Sequence, residues 1–120
     1  MNNLELSDKL VGNIKIVSLK GPVIKPFQAV TITDYVLNKE DNKDYEIALD
    51  LSGLEEQPGS GIVNAIATIS KRLKDNNKIF YLIIPPGKKL DIFETMNVDQ
   101  MAPVYHSEKD LPKYPVNSIE

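Results

Sequence analysis

The sequence has no cysteine and a single histidine, His106, among its 120 residues. The missing thiols exclude disulfide bonds, thiolate catalysis and cysteine-based zinc or iron–sulfur sites, so we expect no metal and no cofactor. The longest apolar run, residues 79–84, is far shorter than the ~20 residues that span a bilayer. The first ten residues hold neither the basic region nor the apolar core of a secretion signal. These absences favour a cytoplasmic protein without membrane association.

The charge balance is slightly acidic and excludes one more class of partner. The chain carries 14 cationic and 17 anionic side chains, for a net charge of −3. This balance leaves no basic surface for nucleic acid, so we expect no nucleic-acid partner. With 42% apolar and 26% charged residues, the chain has the size and composition of one globular domain. We expect that domain over residues 4–111 and a proline-containing tail over residues 112–120.

Hydrophobic periodicity predicts strands and helices in alternation. Residues 60–75 form the clearest amphipathic helix, while the helix at residues 26–38 is predicted from Pro26 and the lack of strict alternation, against a β-branched cluster at residues 30–33. The predicted strands cover residues 4–7, 14–19, 45–51, 79–84 and 103–105, with a loop at 52–59 and a third helix at 88–96. The order predicts an α/β fold: a small mixed β-sheet with an antiparallel first hairpin, then parallel strands, and three to four helices.

Ser60 stands where a loop that contains glycine and proline enters the helix at residues 60–75. A phosphate on its hydroxyl would face the free N–H groups and the positive dipole end of the helix, so Ser60 is a candidate phosphorylation site. The alternative is that Ser60 only caps the helix, because serine is favoured at that position in any helix. Val63 stands where a capping-box acid would support the cap.

Catalysis at the same segment is not favoured. A phosphate-binding loop at residues 59–61 would need a lysine directly after it, and the next one is Lys71. A serine hydrolase would need His106 as the base for Ser60, but the Gly-x-Ser-x-Gly spacing is absent and His106 is predicted to be a surface imidazole. Asp50, at the predicted end of a strand, is expected to make loop hydrogen bonds. We therefore expect a protein that is not an enzyme.

The order and spacing of several segments match a known domain family. These segments are the strand and loop at residues 47–54, Ser60-Gly61-Ile62 with the helix behind it, the strand at 79–84, the turn Leu19-Lys20-Gly21, and the closing stretches 93–99 and 103–107. Together they resemble the STAS domain of anti-sigma factor antagonists over residues 4–111. The resemblance implies a STAS-like fold.

The resemblance also implies a function, partner switching. In the family, the unphosphorylated protein binds an anti-sigma factor or a serine-protein kinase of the same pathway, and phosphorylation of one serine ends the binding. That serine is the second of an Asp-Ser-Ser-Gly motif, and Ser60 falls on it. The resemblance places the partner-binding surface at the helix start and the preceding loop, and implies a monomer or weak homodimer. The residues expected there are Glu56, Gln57, Pro58, Gly59, Ser60, Gly61 and Asn64.

Three positions depart from the family pattern. Pro58 stands in place of the motif's aspartate, Gly59 in place of its first serine, and Ile24 in place of an aspartate after the second strand. The acidic surroundings of the phosphate acceptor are therefore missing. These departures leave an alternative open, a degenerate STAS module that binds a signalling partner or itself constitutively, without a phosphorylation switch.

Overall fold

The computed structural model describes residues 4–21, 26–37, 45–54 and 59–112, with the backbone alone at Pro26, Phe27 and Ser60. Within these ranges the strands and α-helices alternate after a first hairpin, and two short 3-10 helices lie at Val98–Gln100 and Glu108–Asp110. In chain order the elements are β1 (Glu5–Val11), β2 (Ile14–Gly21), α1 (Pro26–Leu37), β3 (Glu46–Leu54), α2 (Ser60–Asp75), β4 (Phe80–Ile83), α3 (Lys88–Thr95) and β5 (Val104–Tyr105).

The strands form one five-stranded sheet in sequential order, β1-β2-β3-β4-β5. β1 and β2 are antiparallel, and each later strand is parallel to the one before it. The hairpin closes through Gly12, whose φ of 61° is a left-handed conformation that glycine adopts without strain. The predicted mixed sheet with an antiparallel first hairpin is confirmed.

The first helix forms despite its β-branched residues. α1 covers Pro26–Leu37, close to the predicted range, and buries Ile32 and Val36 against the sheet. Each β-branched side chain makes the helix less favourable by less than about 1 kcal/mol. Burial of one large apolar side chain stabilises the fold by roughly 1.5–3 kcal/mol, which is more. Tertiary packing therefore decides the structure of this segment.

β3 continues to Leu54, beyond the predicted end at Leu51, so the prediction of a loop from residue 52 is wrong. The Ser52-Gly53 pair is typical of a loop in sequence, but Gly53 pairs with Lys20 of β2 after an irregularity in the register. A Cβ atom at Gly53 would lie 2.6 Å from the Leu19 carbonyl oxygen, so only glycine allows this approach. Asp50 consequently lies inside the strand, where its Oδ1 accepts a hydrogen bond from the Ser52 N–H at 2.9 Å.

One face of the sheet carries the main core. Helices α1, α2 and α3 all contribute buried side chains to this cluster, together with alternate residues of the strands. Sequential strand order with right-handed crossovers places all connecting helices on the same face, which explains the arrangement. The largest fully buried side chains of this cluster include Leu19, Ile32, Leu49, Ile62, Ile66, Ile69, Leu82 and Phe93.

The opposite face, here called the second sheet face, is also apolar. It consists of Ile14, Ile16, Ala48, Tyr81 and Ile83, which form a cluster with Leu111. Next to Leu111, the 3-10 helix at Glu108–Asp110 contacts β1 through an ion pair between Lys9 and Glu108, 2.8 Å long. Residues 108–111 are thus packed against the domain, while residues 113–120 of the predicted tail lie outside the described residues.

A buried lysine joins the hairpin to α1. Lys15 is 7% exposed, and its Nζ lies 3.4 Å from Asp8 Oδ2 and 5.3 Å from the centroid of the Tyr45 ring. The Tyr35 hydroxyl donates a hydrogen bond to the other oxygen of Asp8 at 2.8 Å. The buried cation is therefore paired and its counter-ion is hydrogen-bonded, as burial of charge requires.

Candidate functional site

The site begins where the chain enters α2. Gly59 is the N-cap residue, with extended backbone angles of φ −124° and ψ −171°, and its carbonyl accepts the first helical hydrogen bond from the Val63 N–H at 3.3 Å. Ser60 is therefore the first residue inside the helix, so the alternative that Ser60 is the cap is wrong. Glycine is itself accepted at N-cap positions, which explains the shift by one residue.

The electrostatics of α2 leave its N-terminus positive. The first turn contains no acidic residue, whereas Arg72 and Lys74 lie in the last turn, where cations compensate the negative end of the helix dipole. The first amide groups of a helix have no partner within it, and together with the dipole they favour an anion. A phosphate attached at Ser60 would therefore meet a favourable local potential.

Only part of the predicted partner-binding set falls within the described residues. Gly59, the Ser60 backbone, Gly61 and Asn64 follow one another along the first two turns of α2, and Asn64 is exposed while Gly61 is buried. Glu56, Gln57 and Pro58 lie outside the described residues, as does Ile24. The partner-binding role of the whole set stays a prediction.

A groove between α1 and α2 adjoins this helix start. Its volume is about 310 Å³, and Val30, on its α1 side, is 62% exposed. The lining residues are Ala29, Val30, Thr33, Asp34, Asn64, Ala65 and Thr68. The sequence analysis names Asn64 of this lining but no residue of α1. Val30, an apolar residue outside the buried face of α1, is the signal that could have indicated the α1 side.

A second missed residue is Lys89, in the first turn of α3. Its Nζ donates a hydrogen bond to the carbonyl oxygen of Leu54, the last residue of β3. Burial lowers the pKa of Lys89, and the nearby Asp50 carboxylate opposes that shift. No sequence pattern connects residues 54 and 89, since they meet only when the sheet has formed.

His106 has the surface position that the sequence predicts. The residue is exposed, and its Nδ1 lies 3.2 Å from the Ile84 carbonyl oxygen. The partner of Nδ1 is thus a backbone carbonyl and not the carboxylate that orients the base in a Ser-His-Asp triad. In the part of the chain that the structure describes, no group of three His, Asp or Glu side chains is placed to hold a metal ion, and no helix is long and apolar enough to cross a membrane.

Solved structures share this architecture. An anti-sigma factor antagonist from Mycobacterium paratuberculosis is 17% identical over 90% of each chain, with a TM-score of 0.71. The Thermotoga maritima protein TM1081, a putative anti-sigma factor antagonist, is 23% identical, with a TM-score of 0.74, over 88% of this chain and 89% of the other. An anti-sigma-factor antagonist (STAS) domain protein from Planctomyces limnophilus is 15% identical, with a TM-score of 0.63, over 88% of this chain and 92% of the other.

The chain therefore has the STAS fold, as the resemblance implied. No protein-family model matches the sequence, and no curated protein does either. At these identities the comparisons establish the architecture, and function rests on the site.

Proposed function

We propose that this protein is an anti-sigma factor antagonist that acts by partner switching. The unphosphorylated chain binds an anti-sigma factor, or a serine-protein kinase of the same pathway, and phosphorylation of Ser60 releases the partner. The observation that carries the proposal is the position of Ser60 as the first residue of α2, in a chain with the fold of known anti-sigma factor antagonists. The domain of residues 4–111 is then a cytoplasmic regulatory protein, monomeric or weakly dimeric, and not an enzyme.

Charge is the physical basis of the switch. A phosphoserine adds about −1.5 to −2 charges at neutral pH. In the free protein the first amides and the dipole of α2 stabilise that charge, so the fold persists. In a docked complex the same charge would have to lose water against the partner, which weakens binding. One modification therefore changes affinity without unfolding the domain.

The groove between α1 and α2 supports the location of the docking surface. Asn64 belongs both to the first turns of α2 and to the groove lining, so the two features form one continuous surface. The exposed Val30 supplies apolar area on its α1 side. An apolar centre with a polar rim is the usual composition of a protein interface.

Substitution of Ser60 tests the proposal. Ser60→Asp and Ser60→Ala are compared with the wild type by calorimetric titration against each purified anti-sigma factor of the same genome. A complete switch needs about 5.5 kcal/mol, and an aspartate carries about half the charge of a phosphate, so we expect Ser60→Asp to weaken binding about a hundredfold. Ser60→Ala keeps the wild-type affinity.

Ser7 offers a matched control for the added charge. It is an exposed serine on β1, at the edge of the sheet, two strands away from β3. Ser7→Asp adds the same charge and should leave the affinity unchanged. Equal weakening by Ser7→Asp and Ser60→Asp would show a general effect of charge and contradict the proposed switch.

A constitutive interaction module is the second candidate. It is favoured by Pro58 and Gly59, which stand in place of the aspartate and the serine that precede the phosphorylated serine in the family pattern. In this case Ser60→Asp and Ser60→Ala both bind a partner, or the chain itself, as tightly as the wild type does.

A further inference from the structure

A second groove lies along α2, on the flank of the helix that faces away from α1. It separates the last turns of α2 from the 3-10 helix at Val98–Gln100, and its volume is about 320 Å³. Ser70 in its lining is only 4% exposed, and the Ser70 hydroxyl donates a hydrogen bond to the Met101 carbonyl oxygen. This bond joins the two walls. Ala67 and Met101, both half-buried, supply apolar surface within the groove.

This second groove is here called the basic groove, because its charges are mainly positive. Lys71 and Lys74 of α2 line it opposite the uncharged Gln100, and both lysines are exposed. The acid in the described part of the lining is Asp75, whose Oδ2 lies 3.4 Å from Lys71 Nζ. Arg72 is exposed in the same turn of the helix. This end of α2 thus carries three cations and one acid, on a chain whose net charge is −3.

An exposed ridge of α2 connects the basic groove with the proposed docking surface. The ridge consists of Asn64, Thr68, Lys71 and Asp75, which are spaced by three or four residues and therefore lie on one line along the helix. All four residues are exposed. Asn64 and Thr68 line the groove with α1, whereas Lys71 and Asp75 line the basic groove. A partner seated on the first turns of α2 can therefore extend along the helix into the basic groove.

We propose that the basic groove binds an acidic segment of the partner, a stretch of chain in which carboxylates alternate with apolar side chains. The carboxylates pair with Lys71 and Lys74, and the apolar side chains pack on Ala67 and Met101. This inference rests on the proposed function, because the segment belongs to the anti-sigma factor. It adds the chemical character of the partner, which the Ser60 region alone does not define.

Exposure of the two lysines determines what the basic groove contributes. Ion pairs between exposed side chains add little to affinity, because water and salt screen them. Complementary charge acts mainly on association, since it raises the rate at which two proteins meet in the correct orientation. The basic groove therefore guides the partner to α2, and the charge state of Ser60 decides whether the complex persists.

Charge reversal in the basic groove tests the inference. Lys74→Glu reverses one charge, and the double variant Lys71→Glu/Lys74→Glu reverses both. Lys109→Glu is the matched control, because it makes the same change at an exposed lysine of the 3-10 helix at Glu108–Asp110, beside the second sheet face. Association with the anti-sigma factor that binds the wild type is followed by stopped-flow fluorescence, and circular dichroism verifies the fold of each variant.

At low salt we expect the association rate constant to fall about threefold in Lys74→Glu and about tenfold in the double variant, with dissociation changed less than about twofold. The differences disappear at about 1 M salt, where charges are screened beyond ~3 Å. Lys109→Glu associates like the wild type at both salt concentrations. If the double reversal does not fold, Lys71→Gln/Lys74→Gln replaces it, with the same direction and about half the effect on the logarithm of the rate.

A second measurement needs no anti-sigma factor. The isotope-labelled protein is titrated with a short capped peptide of alternating glutamate and leucine, and its backbone amide signals are followed by NMR. We expect the peptide to shift the signals of residues 67–75 and 100–101, and a peptide of alternating lysine and leucine to leave them in place.

Two results would overturn the inference. One is a double-reversal variant that associates at the wild-type rate at low salt, and the other is a glutamate–leucine peptide that shifts no signal of the basic groove. Failure of the proposed function looks different, because Ser60→Asp then binds like the wild type, or no anti-sigma factor binds at all. In either of those cases the peptide titration still decides whether the basic groove accepts an acidic segment.

Discussion

Gly53 and Gly59 lie on either side of residues 55–58 and differ in how much space surrounds them. A Cβ atom at Gly59 would have no neighbouring atom within 4 Å, and the backbone there is extended, a conformation open to any residue. At Gly53 the same atom would lie 2.6 Å from the backbone oxygen of Leu19. The packing of β2 against β3 therefore requires a glycine at residue 53, whereas the fold does not require one at residue 59.

This difference predicts opposite results for two small substitutions. Gly59→Ser introduces a favoured N-cap residue and reduces the freedom of the unfolded chain, so we expect it to raise the free energy of unfolding by about 0.4–1 kcal/mol. Gly53→Ala forces β2 and β3 apart and should lower it by about 1–3 kcal/mol. Urea unfolding followed by circular dichroism measures both. A stability loss in Gly59→Ser, or none in Gly53→Ala, would contradict the geometry.

At the scale of single residues, the sequence can single out a residue whose signal lies in its neighbours. Ser60, whose role as a phosphate acceptor stays a prediction, is singled out by its neighbours and by the helix that begins with it. Lys89 is not, because its partner is 35 residues away and is a backbone oxygen, which every residue has. Gly53 likewise gives no signal in sequence, since the atom that requires a glycine there belongs to β2.

At the scale of elements, Val30 of α1 is expected to affect folding and partner binding in opposite directions. It is an exposed β-branched residue in α1, so it contributes little to the core and lowers the helix propensity. We expect Val30→Ala to raise the free energy of unfolding by up to about 0.7 kcal/mol. If the groove is part of the docking surface, the same substitution weakens partner binding.

The binding effect is the informative part of that prediction. Truncation of an apolar side chain within an interface lowers affinity by about 1 kcal/mol, roughly fivefold. Calorimetric titration of Val30→Ala against the anti-sigma factor measures it. Thr31→Ala, at an exposed neighbour outside the groove lining, is the control. Unchanged affinity in Val30→Ala would remove the α1 side of the groove from the proposed surface.

Elements with strong periodicity are predictable from sequence, and their junctions are not. α2 begins and ends at the predicted residues, and the apolar strand at residues 79–84 becomes β4, whose four residues are all buried. The end of β3 was missed because it depends on pairing with β2. Residues 108–111 fall inside the range that the sequence predicts for the domain, and Leu111 packs on the second sheet face.

At the scale of the whole molecule, the two faces of the sheet have different coverings. The helices cover one face, which carries the proposed switch, and Leu111 belongs to the apolar cluster of the other. On the second sheet face the Tyr81 hydroxyl donates a hydrogen bond to Glu46 Oε1 at 2.8 Å, and its ring meets that of Tyr105 edge-on at 5.8 Å. Tyr81 lies on the second sheet face and Lys89 in α3, so the titrations of these two residues at high pH affect different parts of the molecule.

The two groups affect stability with opposite signs in alkaline solution. Burial, the Glu46 hydrogen bond and the nearby negative charges raise the pKa of Tyr81 above its ordinary value of 10.0. The stabilisation that Tyr81 contributes is therefore complete below pH 10 and is lost as pH rises further, because the Tyr81 hydroxyl ionises more readily in the unfolded chain than in the folded one. Burial lowers the pKa of Lys89 below 10.5, so the unfolded chain binds more protons and stability rises with pH up to that value.

These signs predict the shape of the stability profile and how two substitutions alter it. As the pH approaches 10.5 the Lys89 effect adds a small rise in stability, which Lys89→Met removes. Above about pH 10 the Tyr81 effect adds a fall, which Tyr81→Phe reduces. Urea unfolding at intervals of half a pH unit measures both slopes, each variant serving as the control for the other. Because the two residues lie on different elements and in separate contacts, the double variant should show the sum of the two changes. Curves that run parallel to the wild type would mean that neither group changes its pKa on folding, and would contradict the environments of both residues.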